Sequence, residues 1–255
     1  MTSTSDTDLT YDAFLGGKLH LWQPVAGYRA GVDPVLLAAS VPARSGEAVL
    51  DLGCGVGAAA LCLGARVPGL DLTGVERQDA YAALARRNGT ENGYAFMVIT
   101  ADLRDLPSEL RQQRFHHVMM NPPYFDRDAG TASHDRGRDI ALGGDTSLTD
   151  WISQGAKRVG PRGYLTLIQR MERLPEVLGA LNGRLVAIIV RPIAGRAGRA
   201  PELFVLQARQ EGRAAFRMVP TLVLHEGDSH YADAESYTPQ VQAALRSGAE
   251  LPIAP

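Results

Sequence analysis

From residue 48 onward, short apolar runs alternate with stretches of helical periodicity. Runs of four to seven residues predict strands at Ala48–Asp51, Asp71–Val75, Ala95–Thr100, Phe115–Met120, Gly163–Gln169, Leu185–Val190 and Leu203–Ala208. Between them, apolar positions three and four apart predict helices at Ala58–Val67, Asp79–Asn92, Thr149–Val159 and Leu174–Leu181. A further short helix starts at Asp33-Pro34, an N-cap followed by a first-turn proline, and runs to about Ser40. Strands joined by helices through short connections form a parallel sheet covered on both faces. The expected fold is therefore α/β, a doubly wound, mostly parallel sheet in a three-layer sandwich. The last two strands are separated by the Gly/Arg loop 191–201 and no helix, so they are expected to pair antiparallel at the sheet edge. Residues 11–32 read as irregular and 1–10 as a disordered tail. Residues 121–147 contain no periodic element, and a loop that long in a compact domain is usually a lid or a binding loop.

Composition narrows the class. Hydrophobic residues are 45% and charged residues 21%, as in an ordinary soluble globular protein. The longest apolar run, Leu185–Val190, is far too short to span a membrane. The N-terminus has no apolar core of a signal peptide. Cys54 and Cys62 supply neither a disulfide framework nor zinc-ligand spacing. A cytoplasmic enzyme without metal is expected. It would be a single domain over 11–255 whose segment 11–47 contacts cofactor and substrate. Net charge is −2, but residues 151–220 carry 12 basic and 4 acidic groups, net +8, and nearly all the bases are arginine. Such a segment is either a solvated face or a phosphate-contacting surface.

Candidate chemistry begins at Asp51-Leu-Gly-Cys-Gly-Val-Gly57. Gly53, Gly55 and Gly57 lie between a strand and a helix, where glycine lets the backbone turn tightly and approach a ligand. A dinucleotide would place its pyrophosphate there, and Asp51 would repel it. The next two strands end in Glu76 and Asp102. A carboxylate for an ammonium, one for ribose hydroxyls and one for an adenine amino group, in that order, suit S-adenosylmethionine, which has no phosphate. This pattern resembles the class I, Rossmann-like methyltransferase superfamily. The fourth strand runs into Asn121-Pro122-Pro123-Tyr124-Phe125. Prolines supply no N–H and fix the backbone. The Asn121 amide oxygen and the Pro122 carbonyl are two acceptors that suit an –NH2 group. Hydrogen bonds to both its protons localise the nitrogen lone pair on the methyl to be transferred. Tyr124 and Phe125 offer faces for a flipped base. The tetrapeptide resembles the signature of methyltransferases of planar amino nitrogens: adenine N6, guanine N2 and glutamine N5.

The chain as a whole resembles the bacterial tRNA1(Val) adenine-37 N6-methyltransferase family. Beyond the motifs above, Gln23, Tyr28-Arg-x-x-x-Asp33-x-x-Leu36-Leu37, Leu148-Thr-Asp-Trp151, Gly160-Pro-Arg-Gly163 and Leu222-Val-Leu-His-Glu-Gly227 carry that likeness. The resemblance implies methylation of an adenine beside the anticodon of tRNA. The catalytic residues would be Asn121, Pro122, Pro123 and Tyr124. Asp51, Gly53, Gly55, Gly57, Glu76, Asp102 and Asn121 would hold the cofactor, with Arg29 on its carboxylate. Tyr124, Phe125, Arg136, Arg138, Arg196 and Arg199 would meet the RNA. Alternatives at this stage are glutamine N5 in a protein, a base amine in another RNA, a nicotinamide-dependent oxidoreductase, and a non-catalytic RNA-binding domain. Of His116 and His117, one is expected to face solvent and the other to pack, and Trp22 and Trp151 are expected to pack.

Overall fold

A computed structural model describes residues 8–124, 146–227 and 236–253. The irregular pattern of 11–32 conceals an antiparallel hairpin, β1 (Leu9–Phe14) with β2 (Leu19–Pro24). β2 does alternate, burying Leu19, Leu21 and Gln23. β1, with no fully buried position, leaves no such trace. Leu9 and Thr10 therefore belong to a strand and not to the expected tail, whose residues 1–7 lie outside the described residues.

The chain continues through α1 (Val32–Ser40), β3 (Ala48–Leu52), α2 (Ala58–Arg66), β4 (Asp71–Glu76), α3 (Asp79–Glu91) and β5 (Phe96–Thr100). Then come α4 (Ser108–Gln112), β6 (Phe115–Met120), α5 (Leu148–Arg158), β7 (Val159–Arg170) and α6 (Leu174–Leu181). β8 (Val186–Arg196), β9 (Leu203–Arg209), β10 (Arg217–Met218), β11 (Leu222–His225) and α7 (Pro239–Ser247) complete it. Every element predicted over 33–208 is present. β7 starts earlier than its Gly160-Pro161 suggests, because those residues sit in a bulge. Val159 faces Phe115, yet Tyr164 already faces His117.

The strands lie in the order β10-β8-β9-β7-β6-β3-β4-β5, with β11 also on β8. β3 to β7 are mutually parallel, and β9 runs antiparallel to both β7 and β8. The antiparallel pairing of the last two long strands is as expected, but β9 lies inside the sheet. Phe204–Ala208 are buried, as an interior strand requires, and the short β10 takes the edge.

Successive residues of each strand enter opposite layers. Val49 and Met119 pack toward α1, α2, α7 and the hairpin, whereas Leu50 and Val118 pack toward α4, α5 and α6. Burial on both faces is why these strands read as unbroken apolar runs. The parallel register pairs Leu52 with both Val75 and Met120, and Glu76 with Thr100. The carboxyl ends of β3 to β6 thus form one rim. Among the described residues, no helix is long and apolar enough to cross a membrane.

Candidate active site

A cleft opens over that rim, lined by residues from every strand end (Asp51, Gly53, Gly55, Glu76, Asp102, Asn121 to Tyr124) and from the N-terminal segment (Tyr28, Asp33). Its floor begins where β3 ends. Gly53 and Cys54 donate to the Val75 carbonyl at 2.8 and 2.9 Å, which turns the chain back over β4. Gly53 takes φ +70°, and a Cβ there would stand 2.2 Å from the Trp151 ring. Gly57 does not line the cleft. It caps α2 at φ +87°, against Phe96, so its role is conformational.

Asp51 is buried, 2% exposed. It hydrogen-bonds the backbone of Ala60 at the start of α2, and its Oδ2 has no partner among the described residues. Burial, with the nearby Glu76 charge, pushes its carboxyl up to about 8. A buried carboxyl with an orphaned oxygen beside a second carboxylate calls for a cation. Glu76 accepts from the Gly55 N–H at 3.0 Å and from the Gln78 N–H at 2.8 Å, so it ties the glycine loop to the turn after β4. The Arg77 backbone N–H is a third donor to this carboxylate, which leaves it one further lone pair for a hydroxyl. Asp102 is gripped by Arg104 through the backbone N–H, Nε and Nη2 at 2.8 to 3.1 Å. That hold keeps its carboxyl below the usual range. A cationic group, a hydroxyl and no phosphate describe the ligand these residues fit, and S-adenosylmethionine has that chemistry.

The opposite wall is Asn121-Pro-Pro-Tyr124. The Asn121 Nδ2 donates to the Tyr28 hydroxyl at 3.4 Å. Tyr28 is itself fixed by Tyr81, whose hydroxyl accepts from its N–H at 2.9 Å and donates to its carbonyl at 3.2 Å. Tyr124 donates to Asp33 at 2.5 Å, which pins its ring to α1. Burial and the Asp33 carboxylate push the Tyr124 hydroxyl far above the ordinary tyrosine value. The Pro122 and Pro123 carbonyls accept from the Gln169 amide.

Other expected residues lie elsewhere. Arg29 does not line the cleft. Its guanidinium bonds Thr10, Asp12 and the Pro24 carbonyl, which fastens the hairpin. Arg196, at the end of β8, holds the carbonyls of Glu226 and Gly227, and Arg199 is exposed on the β8–β9 connection. Phe125, Arg136 and Arg138 lie outside the described residues. His116 is exposed and His117 buried, as expected. His117 bonds Glu47 at 2.8 Å, at the end of β6 away from the cleft. Among the described residues, no His/Cys/Asp/Glu group could hold a metal.

Tyr28, Asp33 and Trp151 line the cleft without having been assigned to it from sequence. Each stood inside a motif of the family likeness, which was the available signal. Gln169, Tyr81 and Asn88 left none. Asn88, fully buried, accepts from the Trp22 N–H at 2.8 Å and donates to the Val56 carbonyl at 2.9 Å, which joins the hairpin to the glycine loop.

The sheet order and flanking helices are those of the class I, Rossmann-like methyltransferase fold. Residues 30–136 match the family model described as the Methyltransferase small domain. Within that class the chain is similar over most of its length to the curated tRNA1(Val) (adenine(37)-N6)-methyltransferases. The Porphyromonas gingivalis protein is 29% identical over 87% of this chain and 91% of its own length. The Haemophilus influenzae protein is 23% identical over 85% and 92%. Among solved structures, a predicted O-methyltransferase of Agrobacterium tumefaciens superposes with a TM-score of 0.69 at 26% identity, covering 86% of this chain and 98% of that one. The 16S rRNA N2 G1207 methyltransferase of T. thermophilus shares the fold, with a TM-score of 0.55 at 21% identity over 80% of this chain and 50% of that one.

Proposed function

We propose that the protein methylates the exocyclic N6 of adenine 37 in a tRNA, using S-adenosylmethionine as methyl donor. The observation that carries this is the placement of Asn121-Pro-Pro-Tyr124 across one cleft from the unsatisfied Asp51 carboxyl and from Glu76. When bound, S-adenosylmethionine supplies an electrophilic methyl on a positively charged sulfur. Asp51 would accept the donor's ammonium and Glu76 a ribose hydroxyl, while Asp102 keeps a lone pair on Oδ2 for the adenine amino group.

Tyr28 occupies the NH2 side of the Asn121 amide, so the amide oxygen is left to accept a proton of the substrate amine. The Pro122 carbonyl accepts the other. An aromatic amine is a weak nucleophile because its lone pair is delocalised. Two acceptors draw its nitrogen toward tetrahedral geometry and aim the lone pair at the methyl. With the donor held by Asp51 and Glu76, the nitrogen–carbon bond would form as the carbon–sulfur bond breaks, and the amine's proton would leave to water. Positioning and oriented dipoles carry this step without a strong base. The face of Tyr124, held by Asp33, stacks the extruded base, which a single-stranded anticodon loop yields readily.

RNA reaches this rim over cationic groups. β7 ends at Arg170, Arg173 follows it, and across β9 on the same side of the sheet stand Arg196, at the end of β8, and Arg199 on the β8–β9 connection. The register supports a shared rim, since Leu203 of β9 lies between Arg170 and Ile193. The test is methyl transfer from labelled S-adenosylmethionine to unmodified tRNA, followed by nuclease digestion and mapping. Label is expected on N6 of adenine 37. Label on guanine, on another RNA or on protein would overturn the proposal. In the same assay Asn121→Ala should cut the single-turnover rate by about 10²-fold or more while leaving cofactor affinity within about tenfold.

A further inference from the structure

Gln169 closes β7 and is fully buried, with 0% exposure. A polar side chain so placed needs partners for its two N–H groups and its oxygen. All three are engaged. Nε2 donates to the Pro122 carbonyl at 3.3 Å and to the Pro123 carbonyl at 3.5 Å, and Oε1 accepts from the Arg170 N–H at 2.8 Å. The sheet register explains the meeting. β6 and β7 are parallel, with Met120 beside Leu167, so two residues further on Pro122 comes level with Gln169. A regular ladder would continue there with backbone donors. The path of Asn121-Pro-Pro has left the ladder, and a side-chain amide takes the place of the missing donors. The Arg170 N–H fixes which end of that amide points at the prolines.

We propose that Gln169 is a positioning residue for methyl transfer, whose amide sets the direction of the Pro122 carbonyl that receives the substrate amine. This rests on the function proposed above. A carbonyl has two acceptor directions. Gln169 occupies one from inside the protein, and the other is left for the amine. Without the amide the carbonyl is buried, unpaired and free to turn toward any other donor. The two acceptors, Asn121 Oδ1 and Pro122 O, would then no longer converge on one nitrogen. Gln169 hydrogen-bonds none of the three carboxylates, Asp51, Glu76 and Asp102, and meets the cationic rim only at the Arg170 backbone N–H, not at a guanidinium, so its effect belongs to the chemical step. Misplacement by about 1 Å of a group that orients the reacting atoms costs on the order of 10²-fold.

The test compares Gln169→Leu and Gln169→Glu with the wild type in single-turnover transfer to tRNA between pH 6 and 9. S-adenosylhomocysteine affinity is measured on the same samples as a check of folding. The leucine variant fills the same space without hydrogen bonds. It should lose about 10- to 100-fold in rate at every pH, with KM for tRNA and cofactor affinity within about threefold. The glutamate variant has no hydrogen to donate when ionised. Buried beside two carbonyls its pKa is raised, and the protonated acid regains one donor. Its rate relative to wild type should therefore climb several-fold as pH falls from 9 to 6, while the leucine ratio stays flat. A leucine variant within twofold of wild type overturns the proposal, as do glutamate and leucine ratios that move together with pH. A change confined to KM also overturns it, as does loss of S-adenosylhomocysteine binding in both variants, since either makes Gln169 a structural support. If the wild type transfers no methyl to tRNA, the function itself falls and this role falls with it.

Discussion

Asp51 is a carboxyl group held where a carboxylate is unwelcome, and two measurable consequences follow from its pKa of about 8. The folded protein keeps this proton to about pH 8, whereas an unfolded aspartate keeps it only to about 3.9. The stability it confers is complete below pH 3.9 and is lost as pH rises through 8. Asp51→Asn, which cannot ionise, should therefore stabilise the unliganded protein increasingly over that window. The gain should reach about 1–2 kcal/mol, or roughly 2–4 °C in Tm per kcal/mol, in melts at pH 8.5. A melt unchanged or lowered at that pH would contradict this. Binding runs the other way, because the ligand's ammonium favours ionised Asp51. Calorimetry with S-adenosylhomocysteine should show affinity rising between pH 6 and 8, by up to about tenfold per unit, with a proton released. Asp51→Asn should bind far more weakly and without that slope. Asp51, Glu76 and Asn121 were legible in the sequence because a polar residue ending an apolar strand has little else to do. Gln169, Asn88 and Tyr81 were not, because each holds backbone 47 to 66 residues away, and no local pattern records such a contact. Arg29 shows the converse hazard. Its place in a motif suggested the ligand, whereas its hydrogen bonds belong to the hairpin.

At the scale of elements, the unpredicted hairpin braces the cofactor site. Asn88 bonds the N–H and carbonyl of Trp22, Asn92 bonds those of His20, and Arg87 stacks 4.0 Å over the Trp22 ring. Asn88→Ala would leave the Trp22 backbone groups and the Val56 carbonyl unpaired. It should cost about 2–4 kcal/mol in denaturant unfolding and weaken S-adenosylhomocysteine binding tenfold or more. Glu91→Ala, which loses exposed hydrogen bonds from Trp22 Nε1 and Arg87, should stay within about 0.5 kcal/mol. Equal effects from the two would mean that the hairpin does not support the glycine loop. The parallel core was readable because burial on both faces writes itself as continuous apolar runs. β10 and β11 were not, since two and four residues on an edge strand need no such run. α7 carries its punctuation, Pro239 at the start and Gly248 at φ +68° as its C-cap, but buries only Val241 and Ala244.

For the whole molecule, topology divides the basic segment that composition presents as one. Arg170, Arg173, Arg196 and Arg199 stand at the rim of Asn121, whereas Arg162, Arg184, Arg209 and Arg213 stand at the opposite ends of the strands. Salt titrations of tRNA binding should give a log–log slope lowered by about 0.7 in Arg199→Ala and unchanged in Arg213→Ala. Equal changes would mean that the RNA contacts both ends. The hairpin's dependence on α3 also has a timetable. β2 leaves the ribosome with its partners Asn88 and Asn92 still 66 and 72 residues from synthesis, a delay of about 3–15 s. A lone two-stranded hairpin is marginal in water, so β1 and β2 wait on the fifth element after them, α3. Ribosome-bound chains arrested with residue 80 exposed should be cleaved readily within 9–24 by added protease. Chains arrested with residue 124 exposed should resist, and β1 and β2 are then among the last elements of that span to become native.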